Sequence, residues 1–318
     1  MQASSVDWKL LETDPVRFEP GRVVGIANQK GGVGKTTTAL NLATGLALRG
    51  HRILVVDADP QANATTGMGI DHRRVGASTY DLLMNDASLR DVVVETAIAG
   101  LYLVPGSLDL AGAELELVGA IARERRLADG IAADADAYAY DLILVDCPPS
   151  LGLVTVNALA AARDLIVPVQ CEYYALEGLG KLLETAERVR RSLNPALRIS
   201  GFVLTMYDAR TKLAEQVAAD VRGHFGELAF KTVIPRSVRL SEAPSFGEPV
   251  LTLDPTARGA IAYRLLAAEV EDRYRLRAPA DDPIPKPATP GPGGRGFGTI
   301  APEPPGLDEI WPRPTPWE

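Results

Sequence analysis

The stretch Lys30-Gly31-Gly32-Val33-Gly34-Lys35-Thr36-Thr37 constrains this chain more than any other part of it. It follows directly on an apolar run, Val23 to Asn28, and leads directly into a helical pattern. Glycines let a backbone curl until successive N–H groups point into one concavity, and the N-terminus of the next helix adds its positive dipole end. A nest of that kind binds polyphosphate. In it Lys35 would bridge β- and γ-phosphate oxygens, and the Thr36 hydroxyl would ligate Mg²⁺. The strict Walker A pattern wants a glycine where Gln29 stands, and a second lysine, Lys30, lies beside that position. The chain therefore carries the deviant form. Its six fixed residues would arise by chance in such a chain on the order of once in 10⁵.

The loop sits within a repeating pattern. Short apolar runs recur at Val23 to Asn28, Ile53 to Asp57, Leu101 to Val104, Leu142 to Asp146, Leu165 to Val169, Ile199 to Thr205 and Leu228 to Ile234. Helix-length patterns near 35–49, 109–135, 152–162, 175–193, 212–225 and 256–274 alternate with them. Strands apolar on both faces and alternating with helices predict a doubly wound α/β fold, its mostly parallel sheet covered by helices on both faces. Residues 1–20 show no sustained period and read as an N-terminal arm, and 21–277 read as the folded domain. The last 41 residues, 278–318, hold 12 of the chain's 24 prolines together with six glycines. Such a tail buries too little apolar surface to fold alone and is expected to be disordered.

Two acidic strand ends accompany the loop. Leu54-Val55-Val56-Asp57-Ala58-Asp59-Pro60-Gln61 sets carboxylates at the C-terminal end of the next strand, where open α/β sheets bind ligands. Leu142-Ile143-Leu144-Val145-Asp146 is an apolar strand ending in one aspartate, the Walker B arrangement that holds Mg²⁺ through its water shell. Either aspartate alone could be a turn or cap residue; beside the loop they complete a metal–phosphate constellation.

Composition narrows the setting. Two cysteines, Cys147 and Cys171, can form neither a disulfide framework nor a four-ligand zinc site within one chain. The opening residues lack the layout of a signal peptide and no apolar stretch reaches membrane-span length, so a soluble cytoplasmic protein is expected. The formal net charge of −8 argues against a nucleic-acid binder. Segment by segment, however, 181–277 carry 16 basic against 12 acidic side chains, and only there is the balance positive.

These residues resemble the ParA/Soj family of chromosome- and plasmid-partitioning ATPases, within the MinD-type deviant Walker superfamily. The resemblance covers about residues 22–275 and rests on Gln-Lys-Gly-Gly-Val-Gly-Lys-Thr-Thr-Thr, Asp-Ala-Asp-Pro-Gln-Ala-Asn-Ala-Thr and Ile-Pro-Arg-Ser-Val-Arg-Leu-Ser-Glu-Ala-Pro-Ser, in family order. It implies the P-loop NTPase fold and hydrolysis of ATP with Mg²⁺. It also implies a homodimer formed on ATP binding, in which Lys30 reaches the partner's phosphates. By the same resemblance Gly31, Gly32, Val33, Gly34, Lys35, Thr36 and Thr37 bind ATP, and Asp59 positions the attacking water. Thr36, Asp57 and Asp146 serve the metal. The segment from Thr205 to Asp208 and the turn Ile234 to Arg236 border the adenine base, chiefly through Met206, Pro235 and Arg236.

The resemblance further implies non-specific binding of double-stranded DNA by the dimer, and hydrolysis stimulated by a ParB-like centromere-binding protein. Arg210, Lys212 and Arg239 are the candidate DNA contacts, and the expected location is the cytoplasm, on the nucleoid. Alternatives are a ParA-like ATPase that positions a protein cluster, a metabolic ligase sharing the loop, or a MinD-like regulator on a membrane. The last requires a C-terminal basic amphipathic helix. The chain ends instead in an acidic, proline-rich stretch, which counts against membrane attachment.

Overall fold

Strands whose side chains are apolar on both faces must be covered on both faces, and that requirement organises the molecule. The computed structural model describes residues 19–133, 139–172 and 177–276; the expected tail and most of the expected N-terminal arm lie outside them. Its strands are β1 (Arg22–Ile26), β2 (Ile53–Asp57), β3 (Val94–Glu95), β4 (Leu101–Val104), β5 (Leu142–Asp146), β6 (Asp164–Gln170), β7 (Arg198–Tyr207) and β8 (Ala229–Pro235). Every residue of β1, β2, β4 and β5 is buried.

The helices are α1 (Lys35–Ala47), α2 (Asn63–Thr66), α3 (Thr79–Met84), α4 (Leu89–Val92), α5 (Leu110–Glu116), α6 (Arg126–Ala132), α7 (Leu153–Ala161), α8 (Glu177–Ser192), α9 (Lys212–Phe225), α10 (Val238–Glu242), α11 (Val250–Leu253) and α12 (Arg258–Tyr274). One face of the sheet packs on α1, α11 and α12 through residues such as Leu42, Leu46, Tyr263 and Leu266. The other packs on α3 and α5 to α9 through Leu82, Leu127, Leu159, Leu182 and Val221.

The sheet runs in the order β3-β4-β2-β5-β1-β6-β7-β8. All neighbours are parallel except the short edge strand β3, which is antiparallel to β4. From β1 the chain moves outward to β2 and β4, returns to β5 between β2 and β1, and then crosses β1 to build β6, β7 and β8. That reversal opens a crevice at the carboxyl ends of the central strands. Register decides what faces it: Asp146 pairs with Ile26 on one side and with Asp57 on the other, so β1, β5 and β2 end in one row.

The seven expected strands are present, and β2, β4 and β5 match the expected ends. The single helix expected over 109–135 is replaced by α5, a 3₁₀ turn at Leu117–Gly119 and α6. The reason is tertiary. Ala122 adopts a left-handed backbone (φ 51°), which ends a helix, and the buried Asn157 side chain of α7 holds the break open. Its Oδ1 accepts from Leu127 N–H at 3.1 Å while its Nδ2 donates to Arg123 O at 2.7 Å.

Candidate nucleotide-binding site

The loop after β1 is fastened at both ends before any ligand arrives. Asn28 Nδ2 donates to Pro168 O at 2.7 Å, tying the strand exit to β6, and Asn28 Oδ1 accepts from Lys30 N–H at 3.0 Å. Gly32 and Gly34 lie at φ 71° and 89°, a region where other residues are strained. No side chain caps α1 at Gly34, so its first-turn N–H groups remain open to an anion. From the far side Thr205 Oγ1, in β7, donates to Val33 O at 2.8 Å. The peptide groups of the nest are thereby preorganised.

Burial separates the two lysines. Lys35 is 6% exposed, and its ammonium donates to Lys30 O at 3.3 Å. Burial lowers its pKa, an effect opposed by the Asp146 carboxylate nearby. Lys30 keeps 37% of its side chain exposed on the rim, with its Nζ 3.6 Å from Glu172 Oε2.

The three carboxylates also differ. Asp57 is fully buried and committed within the protein: Oδ2 accepts from the Thr65 hydroxyl at 2.6 Å and Thr65 N–H at 2.8 Å, and Oδ1 from Asp59 N–H at 3.2 Å. Thr65 Oγ1 in turn accepts from Gly106 N–H at 2.8 Å, so the loop after β4 helps to hold Asp57. Burial pushes the Asp57 carboxyl up to about 6 in spite of these donors. Asp59 anchors its own turn by accepting from Gln61 N–H at 2.9 Å. Asp146 is fully buried, yet neither of its oxygens has a hydrogen-bond partner. Burial, and next to it the negative charge of Asp57, push its carboxyl well above the usual range, and the nearby Thr36 hydroxyl opposes the rise.

A buried carboxylate with two unsatisfied oxygens is costly unless something positive completes it. Thr36 and Asp146 offer Mg²⁺ the hard oxygen donors it prefers, and they fit it. Asp57, its oxygens already taken, stands one strand away in the same row. Among the described residues no group of three or more His, Cys, Asp or Glu side chains could hold a metal, so a bound ion would take further ligands from phosphate and water.

The segments expected at the base end at the same edge. Met206 lies at φ 51°, a strained conformation for a residue with a side chain, directly after the Thr205 that grips Val33. Tyr207 pairs in register with Pro235, and Arg236 N–H donates to Tyr207 O at 3.0 Å, which joins the β7 and β8 loops as expected from their order. The Arg236 side chain is exposed. Beyond them lie the candidate DNA contacts. Lys212 opens α9 and is exposed. Arg210 is held by Asp208, and Arg239 faces Glu242 at 3.2 Å and Asp254 at 3.5 Å. Cys147 and Cys171 are buried free thiols, and burial pushes Cys171 up to about 11.

Sequence reading overlooked Thr205, Glu172 and Asn28 as supports of the loop. Asn28 adjoined the motif and could have been found by its position; Thr205 and Glu172 meet the loop only through the fold. Thr65 lay inside the Asp57 to Thr65 motif without its task being apparent.

Comparison with known proteins agrees with this geometry. A family profile described as an AAA domain matches residues 21–199. The chromosome partitioning protein ParA of Caulobacter vibrioides is 54% identical over 81% of this chain and 97% of its own length. The sporulation initiation inhibitor protein Soj of Bacillus subtilis is 52% identical over 79% of this chain and 98% of its own. Among solved structures, a Mycobacterium smegmatis protein described as cobyrinic acid a,c-diamide synthase, with bound ADP and magnesium, superposes with a TM-score of 0.69 at 37% identity. It spans 82% of this chain and 99% of that one. A glycine-rich loop opening onto a helix, an unpartnered buried aspartate beside it, and a match over 97–98% of the partition proteins' length lead to one conclusion: the chain belongs to the ParA/Soj family of chromosome-partitioning ATPases, which hydrolyse ATP with Mg²⁺.

Proposed function

We propose that the chain is a nucleotide-controlled switch for segregating chromosomal or plasmid DNA, active as a homodimer that closes on ATP. Gly31 to Thr37 cradle the phosphates, Lys35 neutralises the β- and γ-phosphate oxygens, and Thr36 and Asp146 hold Mg²⁺, with Asp57 behind them. When bound, the ion supplies charge neutralisation at the phosphates. Asp59 orients the attacking water. Met206, Pro235 and Arg236 border the base. The closed dimer binds double-stranded DNA without regard to sequence through Arg210, Lys212 and Arg239, because phosphate contacts carry charge and no sequence information. A ParB-like partner completes the hydrolytic site and returns the protein to its free state. The working compartment is the cytoplasm, on the nucleoid. Among the described residues no helix is long and apolar enough to cross a membrane, and no membrane role is proposed. Residues 21–277 form the ATPase domain, flanked by an arm at 1–20 and a tail at 278–318.

The observation that carries this reading is the division between the lysines: Lys35 is buried in its own nest, whereas Lys30 stays 37% exposed on the rim. A rim cation can neutralise charge on another subunit's nucleotide, as an arginine finger does. Lys30→Ala is therefore expected to bind ATP within about threefold of wild type while losing ATP-driven dimerisation and turnover, and Lys35→Ala to lose ATP binding itself. Equilibrium ATP binding and sedimentation velocity, run side by side, check both. If Lys30→Ala dimerised and hydrolysed ATP normally, the trans role would be wrong.

A further inference from the structure

In the β7–α9 loop the Arg210 guanidinium is already paired at two points with a carboxylate. Arg210 Nε donates to Asp208 Oδ1 at 2.9 Å and its Nη2 donates to Asp208 Oδ2 at 2.7 Å. This is the two-point pairing that guanidinium makes equally with carboxylate and with phosphate. The loop is shaped to keep it. Arg210 N–H also donates to Asp208 Oδ1 at 3.0 Å, and Thr211 N–H and Oγ1 both donate to Asp208 O at 3.0 Å. Thr211 Oγ1 then accepts from Ala214 N–H at 3.3 Å, anchoring the loop on the first turn of α9. The Arg210 side chain is nonetheless 87% exposed, so solvent and solutes reach its outer edge. Arg236 adds positive charge around the same carboxylate, and it and Lys212 make no side-chain ion pair among the described residues.

We propose that Asp208 is a built-in counter-anion for Arg210: it fills the fork that a polyanion's phosphate would use, and binding of the polyanion requires its displacement. Taking duplex DNA as that polyanion rests on the function proposed above. The consequence is a ceiling on affinity, set within each subunit and applied twice in a dimer. A switch that must let go of its track gains from such a ceiling. Asp208 is half-buried but its partner Arg210 stands in solvent, which screens the pair, so a phosphate can compete for the guanidinium.

Asp208→Asn isolates the charge, because the amide oxygen can still accept from Arg210 N–H and preserve the turn. With ATP and Mg²⁺ present, the affinities of wild type, Asp208→Asn, Arg210→Ala and the double variant for a mixed-sequence duplex are measured at several salt concentrations. The salt at which each protein leaves a heparin column is measured in parallel, and circular dichroism confirms that each is folded. Asp208→Asn is expected to bind duplex about fivefold tighter, with a steeper salt dependence, and the gain is expected to vanish in the Arg210→Ala background. Equal affinity of Asp208→Asn and wild type for duplex would overturn the proposal. So would a gain that persists undiminished without Arg210, since that would be a general charge effect. If no variant bound duplex, the DNA reading would fall by itself; later elution of Asp208→Asn from heparin, lost in the double variant, would then uphold the filled fork, and unchanged elution would overturn it.

Discussion

At the scale of single residues, Asp146 shows how function and stability pull against one another. Its carboxyl group is fully buried with both oxygens unsatisfied, a costly state that a bound cation would relieve. Asp146→Asn removes the buried charge and keeps the shape. The variant is expected to unfold later than the ligand-free wild type, by about 1–2 kcal/mol or a few degrees in Tm, while losing Mg²⁺-dependent ATP hydrolysis. Differential scanning fluorimetry without nucleotide, set beside a phosphate-release assay, reads both signs. Loss of stability together with loss of activity would mean that the carboxylate is held by structure and not by the ion. Asp57, whose oxygens are taken up by Thr65 and Asp59 backbone and hydroxyl donors, offers no such gain.

At the scale of elements, two tethers show what the sequence could and could not disclose. The runs that became β2, β4 and β5 were legible because burial on both faces demands unbroken apolar residues, and the loop because its glycines and lysine must be local to work. The two-residue strand β3 and the four- to six-residue helices α2, α3, α4, α10 and α11 are too short to show a period. The break between α5 and α6 depends on Asn157, which lies 30 positions from Leu127 and 34 from Arg123. Asn157→Leu leaves the buried Leu127 N–H and the part-buried Arg123 O without this partner and is expected to cost about 2–3 kcal/mol, measured as a lower urea midpoint with an unchanged m-value. A shift within about 0.5 kcal/mol would show that the break is set by the α5–α6 chain alone. The second tether joins α12 to the start of β2. His51 Nε2 lies 2.8 Å from Glu271 Oε1, and Nδ1 lies 3.6 Å from Asp141. Burial alone would lower the His51 pKa, but these carboxylates outweigh it and the net shift is upward. A raised folded value means that the pair's stabilisation is complete below the unfolded value of about 6.5 and is lost as pH climbs through the folded one. The stability advantage of wild type over His51→Gln is therefore expected to shrink as pH rises above about 6.5. A gap that stayed constant with pH would place the tether's contribution in packing.

At the scale of the whole molecule, one sheet edge serves two tasks. The row of strand ends at Ile26, Asp146 and Asp57 lies at the candidate nucleotide site, and the neighbouring ends of β7 and β8 carry the basic loops. Thr205 touches both, with its hydroxyl on Val33 and its strand leading into the Arg210 loop. Contacts of this kind, 172 positions apart in the chain, appear only once the sheet is assembled, and so the loop chemistry was legible where its supports were not. The central claim is that ATP, and not ADP, joins two copies until hydrolysis releases them. Asp59→Ala tests it most directly, because loss of the water-orienting carboxylate should stop the cycle at the closed state. Sedimentation velocity of this variant with Mg²⁺ is expected to give a stable dimer in ATP and a monomer in ADP. A monomer in both nucleotides, or a dimer in both, would contradict the account.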